Sequence, residues 1–464
     1  MKVFVFTYLV LISMASAMDN MTDLLRSPPS IPLSNKKAIF VDFQKADYQL
    51  NYDYNARQLY IHSKIIFYQP EVGSPIYDLL PTESEIYIDG QKSSAHLVYA
   101  PGNVTQYKVL GDQLAVGLHT LEIKHYLNTL VVFENDGVSS AFWMSDLSDR
   151  RYLEQFLPTN LEYDRYAMTF YVNFLNFPKQ QLLYTNGVVF AGQAYNQYVV
   201  QFPTYFTTSS VFFHTSFVGK FNHFTDTYKT IDGRVINILV YNNTGTDLTS
   251  YLKLTKSVLA ELENDYGQWP HGNITIYAAG SGGMEYCGAT MTSYWALPHE
   301  ITHSYFARGI IPANGNAGWI DEAIASFRDD RYQKRMTPGF NSSQMAGHSV
   351  YSRYTDDNAY TLGKRFMEYL NYQEDANGGL KPFLKYYKDK WLHVPYFTQD
   401  FINELNAYTG KNYQSDFNRF IYGINQPYRF FEGSTSLEKS FGFEDQHENP
   451  HHPKLNLEDL EKLL

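Results

Sequence analysis

The stretch ALPHEITHSYFARG, residues 296–309, constrains this chain more than any other part of its sequence. It places His299 and His303 four residues apart, with Glu300 directly after the first histidine. Side chains four residues apart in a helix project from one face, so these two imidazoles can bind a single metal ion. Pro298 is compatible with the first turn of a helix, where the N–H that proline lacks would be unpaired anyway. We therefore predict that a helix begins close to Pro298 and presents both histidines to a metal.

A hydrolytic metal site needs three protein ligands and one open position. Glu322 supplies the third ligand from the segment GWIDEAIASF, which follows a loop rich in Gly, Pro and Asn, GIIPANGNAG. Apolar residues at helical spacing put Glu322 on a second helix that can pack back against the first; they are Ile320, Ala323, Ile324 and Phe327. Glu300 is then placed to reach a metal-bound water, which is the H-E-x-x-H arrangement of zinc peptidases.

Other readings of the two histidines fit less well. A site with a third histidine requires His at position 309, which is Gly309. A non-haem iron site also uses two histidines and a carboxylate, but it has no use for a glutamate adjacent to the first histidine. A Cys287–His299 hydrolase would compete for a histidine that the zinc set already uses. We predict one zinc ion per chain, bound by His299, His303 and Glu322.

Composition limits the class of protein. Hydrophobic residues make up 44% of the 464 residues and aromatic residues 17%, which is ample for packed cores. The 40 tyrosines favour a large β component, because tyrosine suits half-buried strand surfaces. The net charge of -11 argues against nucleic acid as a partner, because phosphate binding needs a basic face.

The first residues, MKVFVFTYLVLISMASAMD, have the pattern of a cleaved signal peptide at 1–17. Their apolar run is short for a membrane-spanning helix, and no later stretch is long and apolar enough for one. Cys287 is the single cysteine, so no internal disulfide can form. We expect an exported protein, periplasmic or secreted, without stable membrane insertion.

Hydrophobic periodicity divides the remaining chain. Residues 18–226 contain strand patterns, of which MTFYVNF (168–174) alternates most clearly, and Asp89-Gly90 marks a hairpin turn. Residues 227–430 add helical patterns, beginning with DLTSYLKLTKSVLAELENDYG. Residues 431–464 form a polar tail with a short amphipathic end, LNLEDLEKLL, and we expect its histidines (His447, His451 and His452) to be solvated.

The zinc motifs in combination resemble the gluzincin pattern of the M1 aminopeptidases. WIDEAIASF resembles that family's Trp-Leu-x-Glu-Gly-Phe-Ala block, and GGMEY lies where the family has its Gly-x-Met-Glu-Asn motif. AYTLGKRFMEYL resembles the later Tyr-x-x-Gly helix start. The resemblance covers about residues 37 to 425 and lacks the large helical C-terminal domain of many members. It implies an all-β N-terminal domain followed by a thermolysin-like α+β zinc metallopeptidase domain, with peptides as substrates.

The resemblance also implies roles for individual residues. Glu300 would be the general base, and Tyr360 would donate a hydrogen bond to the oxyanion, with Tyr354 as the nearest substitute. Glu285 would bind the free α-amine of a peptide. The glycines and the methionine before it would form the edge strand along which the substrate backbone lies; these are Gly282, Gly283 and Met284.

Two other functions stay open from sequence. A site left open by the missing C-terminal domain would suit an endopeptidase on the same scaffold. A β-rich binding protein with a degenerate peptidase domain is the non-enzyme alternative. The side-chain specificity and the oligomeric state have no signature in the sequence.

Overall fold

The computed structural model describes residues 26–144, 152–243, 245–424 and 460–463. The predicted signal segment and the three tail histidines lie outside these ranges. The strands of the first part are β1 (Ile31–Pro32), β2 (Lys37–Phe40), β3 (Asp42–Asp53), β4 (Gln58–Gln69), β5 (Ser74–Tyr77), β6 (Glu83–Ile88), β7 (Gln91–Ser93), β8 (Ala95–Tyr99), β9 (Gln106–Leu110), β10 (Gly117–Leu127), β11 (Val131–Phe133), β12 (Val138–Ala141), β13 (Ala167–Leu175), β14 (Gln181–Thr185), β15 (Val188–Ala191), β16 (Gln197–Gln201) and β17 (Phe213–Phe217).

These strands build three sheets. Their orders are β1-β2-β5-β9-β8, β15-β16-β13-β3-β4-β10-β6-β7 and β11-β12-β17-β14. In β13 the predicted alternation is confirmed, because Met168, Phe170, Val172 and Phe174 are buried while the residues between them are not. The predicted hairpin turn is also confirmed: β6 pairs antiparallel with β7, and the turn residues Asp89 and Gly90 both have positive φ.

The second part mixes strands and helices. Its strands are β18 (Asn222–Lys229), β19 (Val235–Asn242), β20 (Asn273–Ala278), β21 (Gly283–Tyr286), β22 (Ala289–Thr292), β23 (Ile311–Pro312) and β24 (Pro395–Tyr396). Its helices are α1 (Leu248–Tyr266), α2 (Leu297–His303), α3 (Gly315–Asp329), α4 (Leu362–Gln373), α5 (Lys381–Trp391), α6 (Thr398–Thr409) and α7 (Gln414–Phe420). The chain is therefore multidomain, with a β-rich first part followed by an α+β part.

The main sheet of the second part has the order β18-β19-β20-β22-β21. Strands β19, β20 and β22 run parallel, whereas β21 returns antiparallel to β22 and forms one edge of the sheet. The edge strand carries residues 283–286 of the GGMEY segment, and Gly282 directly precedes it. Helix α2 packs on both β21 and β22, so the edge strand lies beside the histidine motif.

Helix α1 is an example of how local sequence sets these elements. The side chain of Asp247 accepts hydrogen bonds from the backbone N–H groups of Thr249 and Ser250, which caps the N-terminus. Gly267 follows the last turn with a φ of 84°, where glycine is favoured, and the helix ends there. The helix buries the apolar face that the periodicity predicted.

The predicted boundary at 226/227 falls inside β18. That strand pairs with β19 and belongs to the main sheet of the second part, which starts at Asn222. Every residue of β18 is exposed except half-buried Tyr228, so the strand has no buried face whose pattern would assign it to one part. The position of the boundary between the two domains therefore remains a prediction.

The two parts share buried aromatic packing. Tyr277 on β20 stacks on Trp143 of the first part, with ring centroids 5.6 Å apart. The described end of the tail joins this region: Leu460 is buried, and the Tyr277 hydroxyl donates a hydrogen bond to the Leu463 carbonyl at 2.6 Å. Residues 460–463 thus pack on the body of the protein through their leucines. Within the described ranges, no helix combines the length and apolar character needed to cross a membrane.

Candidate metal centre

Helix α2 begins where the sequence predicts. It starts at Leu297 with Pro298 in its first turn, and the Ser293 hydroxyl accepts a hydrogen bond from the Ala296 N–H at 3.3 Å just before it. The Thr302 hydroxyl donates to the carbonyl of Pro298 at 2.8 Å. The helix ends at the second histidine of the motif, which is one turn after the first. The prediction of a helix beginning close to Pro298 is confirmed.

Helix α3 starts earlier than the sequence indicated. The prediction that GIIPANGNAG is a loop is wrong at Ile311–Pro312, which form the short strand β23, and from Gly315 onward, because α3 begins there. A side-chain carbon at Gly315 would lie 2.1 Å from the Tyr354 carbonyl oxygen, so this glycine allows close packing rather than a turn. Its tertiary neighbour, and not its local propensity, explains the glycine.

The three predicted ligands converge. His299 Nε2 lies 3.3 Å from Glu322 Oε2, and His303 Nε2 lies 3.2 Å from the same oxygen. One ligand atom from each residue falls within a group spanning no more than 4.8 Å. All three side chains are almost fully buried. Two imidazole nitrogens and one carboxylate oxygen at this spacing fit the donor set of a catalytic zinc ion.

Asp329 orients the first histidine. The Nδ1–H of His299 donates to Asp329 Oδ2 at 2.6 Å, which leaves Nε2 directed at the ligand cluster. Metal-binding histidines are held in this way by a carboxylate on the ring nitrogen that does not bind metal. Sequence reasoning missed Asp329, although it lies seven residues after Glu322 and therefore shares its face of α3.

The electrostatic environment of the three predicted ligands favours positive charge. Burial lowers the pKa of His303, but Glu322 outweighs it and raises that pKa to about 9. Burial also lowers the pKa of His299, and Asp329 and Glu322 together raise it well above the usual value. The carboxylates of Glu322 and Asp329 therefore stabilise positive charge at these imidazoles. A divalent cation would satisfy the same field, which is the second reason that zinc fits here.

Glu300 faces the edge strand. A side-chain carbon at Gly283 would lie 2.3 Å from Glu300 Oε1, so β21 runs directly against this carboxylate. Burial raises the pKa of Glu300 to about 8; His299 opposes the rise and Glu285 adds to it. Oxygens of Glu285 and Glu300 and a nitrogen of His303 form a second group spanning no more than 4.8 Å. Two carboxylates thus lie beside the ligands without belonging to the first group.

The predicted edge-strand residues occupy β21 or precede it. The carbonyl of Gly282 accepts a hydrogen bond from the Ser293 N–H at 2.7 Å, and Met284 pairs with Met291 across the ladder. Glu285 is mostly buried, and its Oε1 accepts a hydrogen bond from the guanidinium of Arg308 at 2.6 Å. The arginine was not foreseen, because it follows the zinc motif in a segment without regular periodicity.

Tyr360 lies at the ligand cluster. Its ring centroid is 6.2 Å from that of His299, and burial together with Glu322 raises its pKa well above the usual value. A side-chain carbon at Gly363 would lie 2.9 Å from the Ala323 side chain, so this glycine brings the start of α4 close to α3. Tyr354 instead packs its ring against His348, with centroids 5.0 Å apart.

Cys287 is buried away from this chemistry. Its Sγ–H donates to the carbonyl of Arg308 at 3.4 Å, and burial raises the pKa of the thiol to about 12. Burial therefore disfavours the thiolate that a cysteine nucleophile requires. The burial of the thiol and the place of His299 among three converging ligand atoms both argue against the Cys–His alternative.

Comparisons with known proteins identify which solved structures have the same fold as this chain. No family model matches the sequence, and no curated protein matches it. Among solved structures, the M1 zinc metallopeptidase from Deinococcus radiodurans superposes with a TM-score of 0.59 at 15% identity, over 83% of this chain and 95% of that one. Native yeast LTA4 hydrolase gives 0.58 at 13% identity, over 84% and 69%. The chain has the M1 zinc metallopeptidase fold.

A third structure with the M1 fold is larger than this chain. Aminopeptidase A from Legionella pneumophila, in complex with aspartic acid, gives a TM-score of 0.63 at 12% identity. The match covers 85% of this chain and 51% of the Legionella chain, so this chain spans about half of that relative. At identities this low, the superpositions establish the fold of this chain but not its chemistry.

Proposed function

We propose that this protein is a zinc aminopeptidase that removes N-terminal residues from peptides. The main support for this proposal is that two histidine nitrogens and a Glu322 oxygen converge beside two further carboxylates, Glu300 and Glu285. The neighbours support this proposal: one is named an aminopeptidase, and a variant of the Deinococcus radiodurans protein was solved with the substrate Tyr-Ser-Ala bound.

Zinc would be held by His299, His303 and Glu322, with Asp329 fixing the first imidazole. When bound, it would supply Lewis-acid polarisation of the scissile carbonyl and would acidify water. Glu300 would take a proton from the attacking water and pass it to the leaving amine. Its carboxylate suits this role because it is buried beside the ligands and is not one of the three that converge.

Tyr360 would donate its hydroxyl proton in a hydrogen bond to the carbonyl oxygen as negative charge develops there. The hydroxyl is suited to remain protonated, because burial and Glu322 raise its pKa well above the usual value. A neutral donor next to a buried carboxylate keeps its proton throughout the reaction. Tyr354 packs against His348 and is the weaker candidate for this role.

Glu285 would bind the α-ammonium of the substrate. It lies on edge strand β21, where a peptide backbone can run alongside, and the glycines before it carry no side chain that would hinder that approach. An ammonium at Glu285 fixes how far the chain can enter the site. Cleavage would then fall one residue from the N-terminus.

The test is one peptide, free and N-acetylated, followed by mass spectrometry with and without a chelator. We expect stepwise loss of single N-terminal residues from the free form alone, abolished by the chelator and restored by zinc. Internal cuts in both forms would instead establish an endopeptidase. No turnover of either form by zinc-loaded protein would favour the degenerate binding protein.

We also propose that the protein is exported, periplasmic or secreted. The support is the signal-peptide pattern of residues 1–17 and the single cysteine. Sequencing the N-terminus of protein recovered from expressing cells tests this directly. A mature chain that starts at Met1 would contradict it.

A further inference from the structure

Arg308 comes five residues after His303, the second predicted histidine ligand, and its backbone is held against helix α2. Its backbone N–H donates to the carbonyl of His303 at 2.9 Å. Its side chain is 2% exposed, although arginine is rarely so deeply buried unless its charge is paired. The guanidinium of Arg308 is therefore fixed relative to the proposed zinc site.

The guanidinium joins the two parts of the protein. One nitrogen, Nη2, donates to Glu285 Oε1 at 2.6 Å on the edge strand. The other, Nη1, donates to the hydroxyl of Ser209 at 2.8 Å in the first part of the chain. The group also lies over the ring of Tyr152, 5.5 Å from its centroid. A planar fork with fixed donor directions holds a carboxylate more firmly than a lysine ammonium would.

This contact determines what Glu285 can do. Its Oε1 is engaged by Arg308, while Oε2 has no hydrogen-bond partner within the described part of the chain. Glu285 also lies within 4.8 Å of Glu300 and His303, where a carboxylate that turned could contact the other groups instead. A buried guanidinium on one oxygen prevents that rotation and leaves the other oxygen for a ligand.

We infer that Arg308 is a positioning residue for recognition of the peptide N-terminus, acting through Glu285 and supported from the first part of the chain by Ser209. This inference rests on the proposed aminopeptidase function. It assigns the first part of the chain a share in exopeptidase specificity, because the hydroxyl that holds the guanidinium comes from there. Arg308 itself would touch neither the substrate nor the metal.

A double-mutant cycle on zinc-loaded, full-length protein tests the inference, with an aminoacyl amide as substrate. Arg308→Met should raise KM and lower kcat/KM by about 10²-fold, the usual effect of misplacing a binding group by about 1 Å. Arg308→Lys, which keeps the charge, should recover at least part of that loss. In a Glu285→Ala background, Arg308→Met should change kcat/KM less than about twofold, because the group through which it acts is gone.

Arg353→Met is the matched control. Arg353 is another arginine that pairs across the two parts, with Nη1 2.6 Å from Glu154 Oε1, but it does not contact Glu285. Its substitution should lower Tm while changing kcat/KM by the same factor with and without Glu285. The Arg308 effect should not behave in this way, because it should depend on Glu285.

Two results would overturn the inference: near-normal kcat/KM in Arg308→Met, or equal losses with and without Glu285, which would show a merely structural arginine. If Arg308→Met does not fold or load zinc, the same cycle run with Ser209→Ala and Arg308→Lys decides. Failure of the proposed function is separate, because it would appear in the wild type as internal cuts or as no turnover.

Discussion

Gly283→Ala is the substitution for which the structure gives the sharpest expectation. The added carbon would lie 2.3 Å from Glu300 Oε1 and 2.4 Å from both Cδ and Cγ of the same side chain. Ordinary contact begins at about 3.4 Å, so the carboxylate or the edge strand must move by about 1 Å. A shift of that size in a catalytic group lowers kcat/KM by about 10²-fold, or about 2.7 kcal/mol of transition-state stabilisation.

The zinc content should not change, because all three ligands lie on α2 and α3 and none lies on β21. The assay is kcat/KM on a free-amine aminoacyl amide, together with elemental analysis and Tm. Gly272→Ala is the control: nothing lies within 4 Å of its added carbon, so activity should stay within about twofold of the wild type. Normal turnover in folded, zinc-loaded Gly283→Ala would refute the argument that β21 fixes Glu300 for catalysis.

Four further outcomes are expected. Glu300→Gln should keep zinc and fold yet lose nearly all turnover, and zinc loss would make it a ligand instead. Tyr360→Phe should keep zinc and lose on the order of 10²–10³ in rate; near-normal turnover would move the role to Tyr354. Asp329→Asn should weaken zinc binding by about 10–100-fold in a competition titration, with activity recovered by added zinc. Burial lowers the pKa of His214 to about 3, below its unfolded value of about 6.5, so the stabilisation from neutral His214 is present above pH 6.5 and is lost as the pH falls towards 3. His214→Phe should therefore flatten the pH dependence of the unfolding free energy by about 1.4 kcal/mol per pH unit between about pH 6 and 4. An unchanged slope in urea titrations would contradict this.

The sequence alone predicts an element wherever the periodic spacing of its residues fixes which face they share. The four-residue spacing of His299 and His303 places both on one face of any helix, whatever surrounds it, so α2 and its starting proline were predictable. The same holds for the buried face of α1 and for the buried face of β13. The convergence of Glu322 needed only one further assumption, that the next helix packs back on the first.

Tertiary structure alone decided the contacts that set the site's chemistry. Arg308 and Glu285 are 23 residues apart, and His299 and Asp329 are 30 apart, with a turn or loop between the partners of each pair. The sequence assigned Gly283 to the substrate-binding edge strand and Gly315 to a loop, and in neither case did it reveal that another segment packs against the glycine. Periodicity fixes which face a side chain occupies, but which faces meet depends on how the whole core packs, and no single segment carries that information.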